Sequence, residues 1–172
     1  MHLVHSFTVL CFAAALTFVA PLPAQRRPAG SDPQEAKVNA TITLNVAGTA
    51  YHFSGQAVCE HLSQGSIYDI PAARWSVRHS EATRDLNLTV WHPQSGGGDM
   101  VTLAVAIGGK RHDVNTVKAP KATSVTGSAT VKFAPEGKGG TFSINAIAGS
   151  GATVTGTIKC EAFTTPAAVA GN

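Results

Sequence analysis

Alternation of apolar and polar residues dominates the chain between Val38 and Phe163. A period of two predicts β-strands with one face on a core and the other in water. No stretch of this region keeps a helical period for three turns, although Glu60–Gln64 and Pro71–Ala73 are compatible with short helical turns. The apolar members of the alternating segments are Ile42, Leu44 and Val46; Tyr51, Phe53, Ala57 and Cys59; Leu86, Leu88 and Val90; Val101, Leu103, Val105 and Ile107; Val125, Ala129, Val131 and Phe133; Phe142, Ile144 and Ala146; Val154, Ile158 and Cys160.

Glycine-rich breaks separate these segments. Short strands divided by such turns are typical of antiparallel sandwiches and barrels. The sequence therefore predicts an all-β fold, an antiparallel β-sandwich or barrel-like meander. The breaks are Gly48, Gly96–Asp99, Gly108–Gly109, Pro135–Gly140 and Gly149–Gly151.

The N-terminus carries an apolar run, Phe7–Ala20, of about 14 residues. A bilayer span needs about 20 residues, so this run suits the core of a signal peptide instead. Two prolines and then Ala24 follow, which predicts a signal peptide over residues 1–24 and a mature chain that starts at Gln25. We expect the mature chain to be secreted or periplasmic, with no transmembrane segment left after cleavage. The segment before the run holds histidines but no Lys or Arg, and an uncleaved membrane anchor is the alternative.

Cysteine usage supports export. Cys11 follows Leu10 inside the apolar run, which does not match a lipidation site, so this cysteine is lost on cleavage. Cys59 and Cys160 remain, and an even pair in an exported chain indicates a disulfide. Each is in phase with the apolar residues of its own strand, so both thiols should point into the core.

The regions that flank the alternating domain lack an apolar period. Gln25–Lys37 combines Pro, Gly and charge, which predicts a flexible leader, and Thr164–Asn172 predicts a disordered tail. The folded domain is thus residues 38–163. A mature chain of about 148 residues is long enough for one core.

Two segments resemble the mycobacterial lipoprotein antigens. Thr41–Cys59 has a strand, a glycine turn and a second strand that ends in a cysteine, and Gly140–Cys160 resembles the closing strands with the second cysteine. The resemblance implies a small exported bacterial β-sandwich with one disulfide and no established enzymatic activity. Only Cys59 and Cys160 match as positions, and their implied role is structural. The chain lacks the lipidated cysteine, so membrane anchoring is not implied.

Charge and motifs exclude several functions. Charged residues make up 13% of the chain, the net charge is +3, and no run of like charges exists, so nucleic acid is not an expected partner. No Gly-x-Ser-x-Gly, P-loop, dinucleotide-binding or Cys-x-x-Cys motif occurs. The few carboxylates show no spacing that selects a catalytic pair. We therefore expect no enzyme, no catalytic residues and no cofactor.

Two kinds of side chain remain as candidates for binding. Trp91 is out of phase with its strand's apolar face, so Trp91 and the adjacent His92 are the candidate ligand contacts. The alternative is that a neighbouring strand or a second layer covers Trp91.

The mature histidines lack His-x-His spacing, so we interpret them as scattered surface residues and predict no metal site. They are His52, His61, His79, His92 and His112.

The function predicted from the sequence is that of an exported, non-catalytic β-sandwich, envelope-associated or secreted, which binds a protein, a glycan or an apolar small molecule. One alternative is a carrier that holds a small apolar ligand between its sheets, which requires a cavity of about 300 Å³ or more. The other is a metal protein or metalloenzyme with histidine ligands.

Overall fold

Nine antiparallel strands and no helix make up the computed structural model, which describes residues 35–118 and 124–166. The all-β prediction is confirmed. No helix in these ranges is long and apolar enough to cross a membrane. The predicted signal peptide, most of the leader and residues 167–172 of the predicted tail lie outside the described residues. The strands are β1 (Val38–Val46), β2 (Thr49–Ile67), β3 (Ile70–Glu81), β4 (Arg84–Pro93), β5 (Met100–Ile107), β6 (Lys110–Asn115), β7 (Ser128–Glu136), β8 (Gly139–Ile147) and β9 (Thr153–Cys160).

The strands form one sheet in the order β6-β5-β4-β3-β2-β1-β9-β8-β7, which is nearly closed into a barrel. The 19-residue strand β2 joins the two halves, because its first part pairs with β1 and its second part with β3. The edge strand β6 meets the other end of the sheet at two places. Asn115 bridges to Thr126, just before β7, and the Gly149 N–H, just after β8, donates to the Asp113 carbonyl at 3.0 Å. Of the sandwich and the barrel-like meander, the structure is thus closer to the barrel.

The alternating apolar residues fill the inside of this curved sheet. Most of the predicted inward positions are buried, and they form one continuous cluster, which confirms the predicted core face. Val125 is the exception: it is 51% exposed and lies before β7 begins, beside the Asn115–Thr126 bridge that closes the seam. The largest fully buried side chains are Tyr51, Phe142, Ile42, Leu86, Leu88, Leu103, Ile158, Val46, Val77, Val101, Val105 and Val154.

The short helical turns considered at Glu60–Gln64 and Pro71–Ala73 are wrong, because both segments are strand. The first lies in β2 and the second in β3. Polar residues interrupt the alternation here: Arg74 and Arg78 occupy one face of β3, while His79 is on the other. Backbone pairing with a strand on each side outweighs that weak local pattern.

The predicted disulfide is present between Cys59 of β2 and Cys160 of β9. Both half-cystines are buried in the main core, as their phase in the strands predicts. In the sheet, β2 and β9 flank β1, so the bond connects the neighbours of the first strand. Because 101 positions separate the two cysteines, the bond also ties together distant parts of the chain.

The chain beyond β9 returns to the sheet. The Phe163 N–H donates to the Lys138 carbonyl at 3.0 Å, in the turn between β7 and β8. Thr164, which the composition placed in the tail, bridges to β2: its N–H donates to the Cys59 carbonyl, and its carbonyl accepts from His61, each at 2.9 Å. These bonds place Phe163 between β2 and the β7–β8 turn.

Candidate functional site

Four partly exposed aromatic rings converge beside the β7–β8 turn. They belong to His61 in β2, Trp75 in β3, Phe133 in β7 and Phe163 after β9. The space between them is a surface cleft of about 290 Å³, which we call the aromatic cleft. Its other lining residues are Pro135, Gly137, Lys138, Gly139, Thr164 and Thr165.

Strand register explains how two of these rings meet. His61 and Trp75 are directly opposite in the β2–β3 ladder, and their rings stack with centroids 4.6 Å apart and planes 11° apart. Trp75 also contacts Phe133 at 5.4 Å between centroids. Four strands lie between β3 and β7 in the sheet order, so this second contact exists only because the sheet curls and brings its two halves face to face.

The floor and the far wall of the aromatic cleft are also aromatic. Phe142, which is fully buried, lies 4.8 Å from Phe133 and 6.0 Å from Phe163, measured between ring centroids. Phe133 and Phe163 meet edge to face at 5.8 Å and 69°. Gly140 is required here, since a Cβ on this residue would collide with the ring of Phe133. Edge-to-face packing of this kind stabilises by about 0.5–1.5 kcal/mol per pair.

The polar groups of the aromatic cleft include several hydrogen-bond donors. Burial lowers the pKa of His61, so its imidazole is neutral at pH 7. Within the described chain, neither that imidazole nor the indole N–H of Trp75 has a hydrogen-bond partner. Lys138 is exposed and is the one lysine or arginine among the lining residues that the structure describes, and no carboxylate is among them. The cleft therefore combines apolar rings with a positive, donor-rich rim.

A second group of polar side chains lies inside the barrel. The fully buried Tyr51 shares a hydrogen bond between its hydroxyl and Nδ1 of His79 at 2.7 Å, and the ring centroid of Phe53 lies 3.6 Å from that of the imidazole. Burial raises the pKa of Tyr51 to about 12 and lowers the pKa of His79, an effect that outweighs the attraction of Glu81 and Asp85. Both groups are thus neutral at pH 7, and their contact stabilises the fold.

We expect Tyr51→Phe to lower the free energy of unfolding by about 1–3 kcal/mol, because Nδ1 of the buried His79 loses its hydrogen-bond partner. Urea unfolding followed by circular dichroism measures this change. Tyr68→Phe is the matched control, since Tyr68 is 43% exposed and should change the stability little. Equal stability of the two variants would contradict this role for the Tyr51 hydroxyl.

The pH dependence of stability follows from the same burial. In the unfolded chain histidine titrates at about pH 6.5, whereas folded His61 and His79 resist protonation because their pKa values are lowered. Below that pH the unfolded state binds more protons, so the free energy of unfolding falls as the pH falls from 7 towards 5, by up to about 1.4 kcal/mol per pH unit for each histidine. His79→Gln should flatten this slope, which urea unfolding at a series of pH values measures.

The residues predicted as ligand contacts lie away from the aromatic cleft. Trp91 points outward from β4, as its phase predicts, and is half-buried against a small second apolar cluster. His92 is exposed, and its Nδ1 lies 2.8 Å from Oδ1 of Asp99. Their role in binding stays a prediction. The residues of the second cluster around Trp91 are Ile67, Ile70, Ala72, Met100 and Val117.

The interpretation of all histidines as surface residues is wrong for two of them. His79 and His112 are only 7% and 9% exposed, because both lie on the inward face opposite apolar partners, Leu86 and Val105. Among residues 35–118 and 124–166, no three His, Cys, Asp or Glu side chains are close enough to hold a metal ion.

The aromatic cleft was missed at the level of the sequence. Trp75 lies in β3, where alternation is weak, and Phe163 lies at the boundary of the predicted tail. The inward phase of Phe133 and Phe142 was visible, but nothing in the pattern shows which rings meet.

Comparison of the chain with protein-family models, with curated proteins and with solved structures gave no match, so the resemblance to the mycobacterial lipoprotein antigens stays a prediction.

Proposed function

We propose that this protein is an exported, non-catalytic β module that binds a small ligand in the aromatic cleft. The observation that carries the proposal is the convergence of His61, Trp75, Phe133 and Phe163 on one cleft, where the rings stay partly exposed. Exposed apolar surface that is concave and rimmed by polar groups is typical of binding sites.

The size and position of the aromatic cleft suit a small ligand. Its volume of about 290 Å³ is near the lower limit of about 300 Å³ for ligand pockets, which favours a molecule of one or two rings. Aromatic side chains supply large contact areas at low cost in conformational entropy. The inside of the barrel is occupied by core side chains, which favours a ligand at this surface cleft over one carried between the sheets.

Export is supported by the apolar N-terminal run and by the buried disulfide, since such bonds persist in oxidising compartments. N-terminal sequencing of the protein recovered from outside the cytoplasm should find Gln25 as the first residue. Recovery with Met1 at the N-terminus from the membrane fraction would favour the uncleaved anchor and contradict this part of the proposal.

Tryptophan fluorescence tests the binding site directly. The chain has two tryptophans, so Trp91→Phe leaves Trp75 as the reporter inside the aromatic cleft. We expect a neutral aromatic probe with two rings, 1-naphthylamine, to quench Trp75 emission with saturation at one site. Phe163→Ala should weaken this binding about tenfold, because a central aromatic contact contributes more than about 1 kcal/mol.

Two controls keep this test specific. Lys132→Gln changes an exposed residue outside the aromatic cleft and should leave probe binding unchanged. The near-ultraviolet circular dichroism of Phe163→Ala should show that the variant remains folded. Probe binding that survives in a folded Phe163→Ala protein with wild-type affinity would contradict the assignment of the site.

A further inference from the structure

We propose that the aromatic cleft selects a small ring compound that carries one carboxylate, an inference that rests on the proposed function. The lining of the cleft joins apolar rings to a lysine, and within the described chain it contains no acidic side chain. A ligand with a ring and a single negative charge complements both features at once.

The positive charge of Lys138 is not cancelled by its surroundings. No described carboxylate lies within ion-pair distance of its ammonium group, although Glu136 is near it in the chain and Glu161 lies beside the neighbouring Gly139. Glu136 pairs instead with Lys159 at 2.8 Å and accepts a hydrogen bond from Thr141 at 3.0 Å. Glu161 accepts from the amide of Asn39 at 3.2 Å. Lys138 is thus available to an anion from solution.

The neutral polar groups of the rim also favour an acceptor-rich ligand. The indole N–H of Trp75 can only donate, and the exposed hydroxyl of Thr165 can donate as well. Two oxygens of a carboxylate can accept several such bonds, and hydrogen bonds to a charged group are about twice as strong as neutral ones.

A cationic ligand fits less well. Aromatic faces attract cations, but one face of His61 and one face of Trp75 are covered by their mutual stacking. Phe133 and Phe163 meet edge to face, and Lys138 repels a second positive charge. The balance of charge at the aromatic cleft therefore favours an anion.

The test uses three ligands with one ring and different charge: phenylacetate, phenylacetamide and phenethylamine. Trp91→Phe serves as the parent protein, and Trp75 emission reports occupancy of the cleft. We expect phenylacetate to bind about three- to tenfold more tightly than phenylacetamide, as a partly exposed ion pair allows, and phenethylamine to bind most weakly. Added salt should reduce the advantage of the anion.

Lys138→Gln should bring the affinities for phenylacetate and phenylacetamide to within about twofold of each other. Lys132→Gln is the matched control, because Lys132 is exposed on β7 but does not line the cleft. Equal affinities for the two ligands in the parent protein would overturn the charge preference. An advantage of phenylacetate that persists in Lys138→Gln would overturn its assignment to Lys138, and in both cases the binding site stands. No response of Trp75 to any of the three ligands or to the neutral naphthylamine would overturn the proposed function as well.

Discussion

Removal of the disulfide by Cys59→Ala with Cys160→Ala is expected to lower the free energy of unfolding by about 4–5 kcal/mol. The bond closes a loop of 101 residues, and opening it gives the unfolded chain many more conformations. A domain of this size is usually stable by about 5–15 kcal/mol, so the loss removes a large share of the margin. Urea unfolding of the mature domain measures the difference.

Reduction provides the control for this prediction. A reductant should destabilise the wild-type protein by a similar amount and leave the double variant unchanged, because the variant has no bond to break. Thiol labelling before reduction should find Cys59 and Cys160 unreactive, since both are in the disulfide and buried. A loss of stability below about 1 kcal/mol would contradict the disulfide's role as the main covalent restraint of the fold.

Phe142→Ala is expected to cost about 3–5 kcal/mol, the usual range for truncation of a fully buried aromatic ring. The substitution leaves a cavity below Phe133 and Phe163, which pack on this ring, so it should also weaken binding of the neutral naphthylamine probe. Ile147→Ala on the same strand is the matched control, because Ile147 is 48% exposed and its loss should change the stability by less than about 0.5 kcal/mol.

This comparison tests whether Phe142 is a core residue that also supports the aromatic cleft. If Phe142→Ala destabilises the protein and weakens the probe, Phe142 supports the cleft as its floor. Equal unfolding midpoints for Phe142→Ala and Ile147→Ala would contradict the description of Phe142 as a core residue.

Strand periodicity predicted much of the barrel because it reports which face of a strand is buried. Ile42, Leu88 and Val105 are inward for that reason, and the phase of Cys59 and Cys160 pointed both sulfurs into the core. Periodicity failed where polar residues occupy both faces, as in β3, whose strand character depends on its two neighbours.

The aromatic cleft could not be predicted because its parts are distant in the chain. Trp75 and Phe133 meet only when the sheet curls. Phe163 joins them because its own N–H bonds to Lys138 and because Thr164 pairs with β2. Alternation identifies the buried face of a strand and carries no information about sheet closure. The same limit applies to Trp91. Its outward phase was visible in the sequence, but the cluster that partly covers it includes Val117, which follows β6 and is distant in the chain.

The most direct test of the binding proposal follows the two tryptophan indole N–H signals in an amide proton–nitrogen correlation spectrum. Only Trp75 lines the aromatic cleft, and Trp91 packs on the separate outer cluster. Titration with 1-naphthylamine should shift the indole signal of Trp75 progressively and leave that of Trp91 in place. A shift confined to Trp91, or a bound probe that moves neither signal, would contradict the assignment of the aromatic cleft as the binding site.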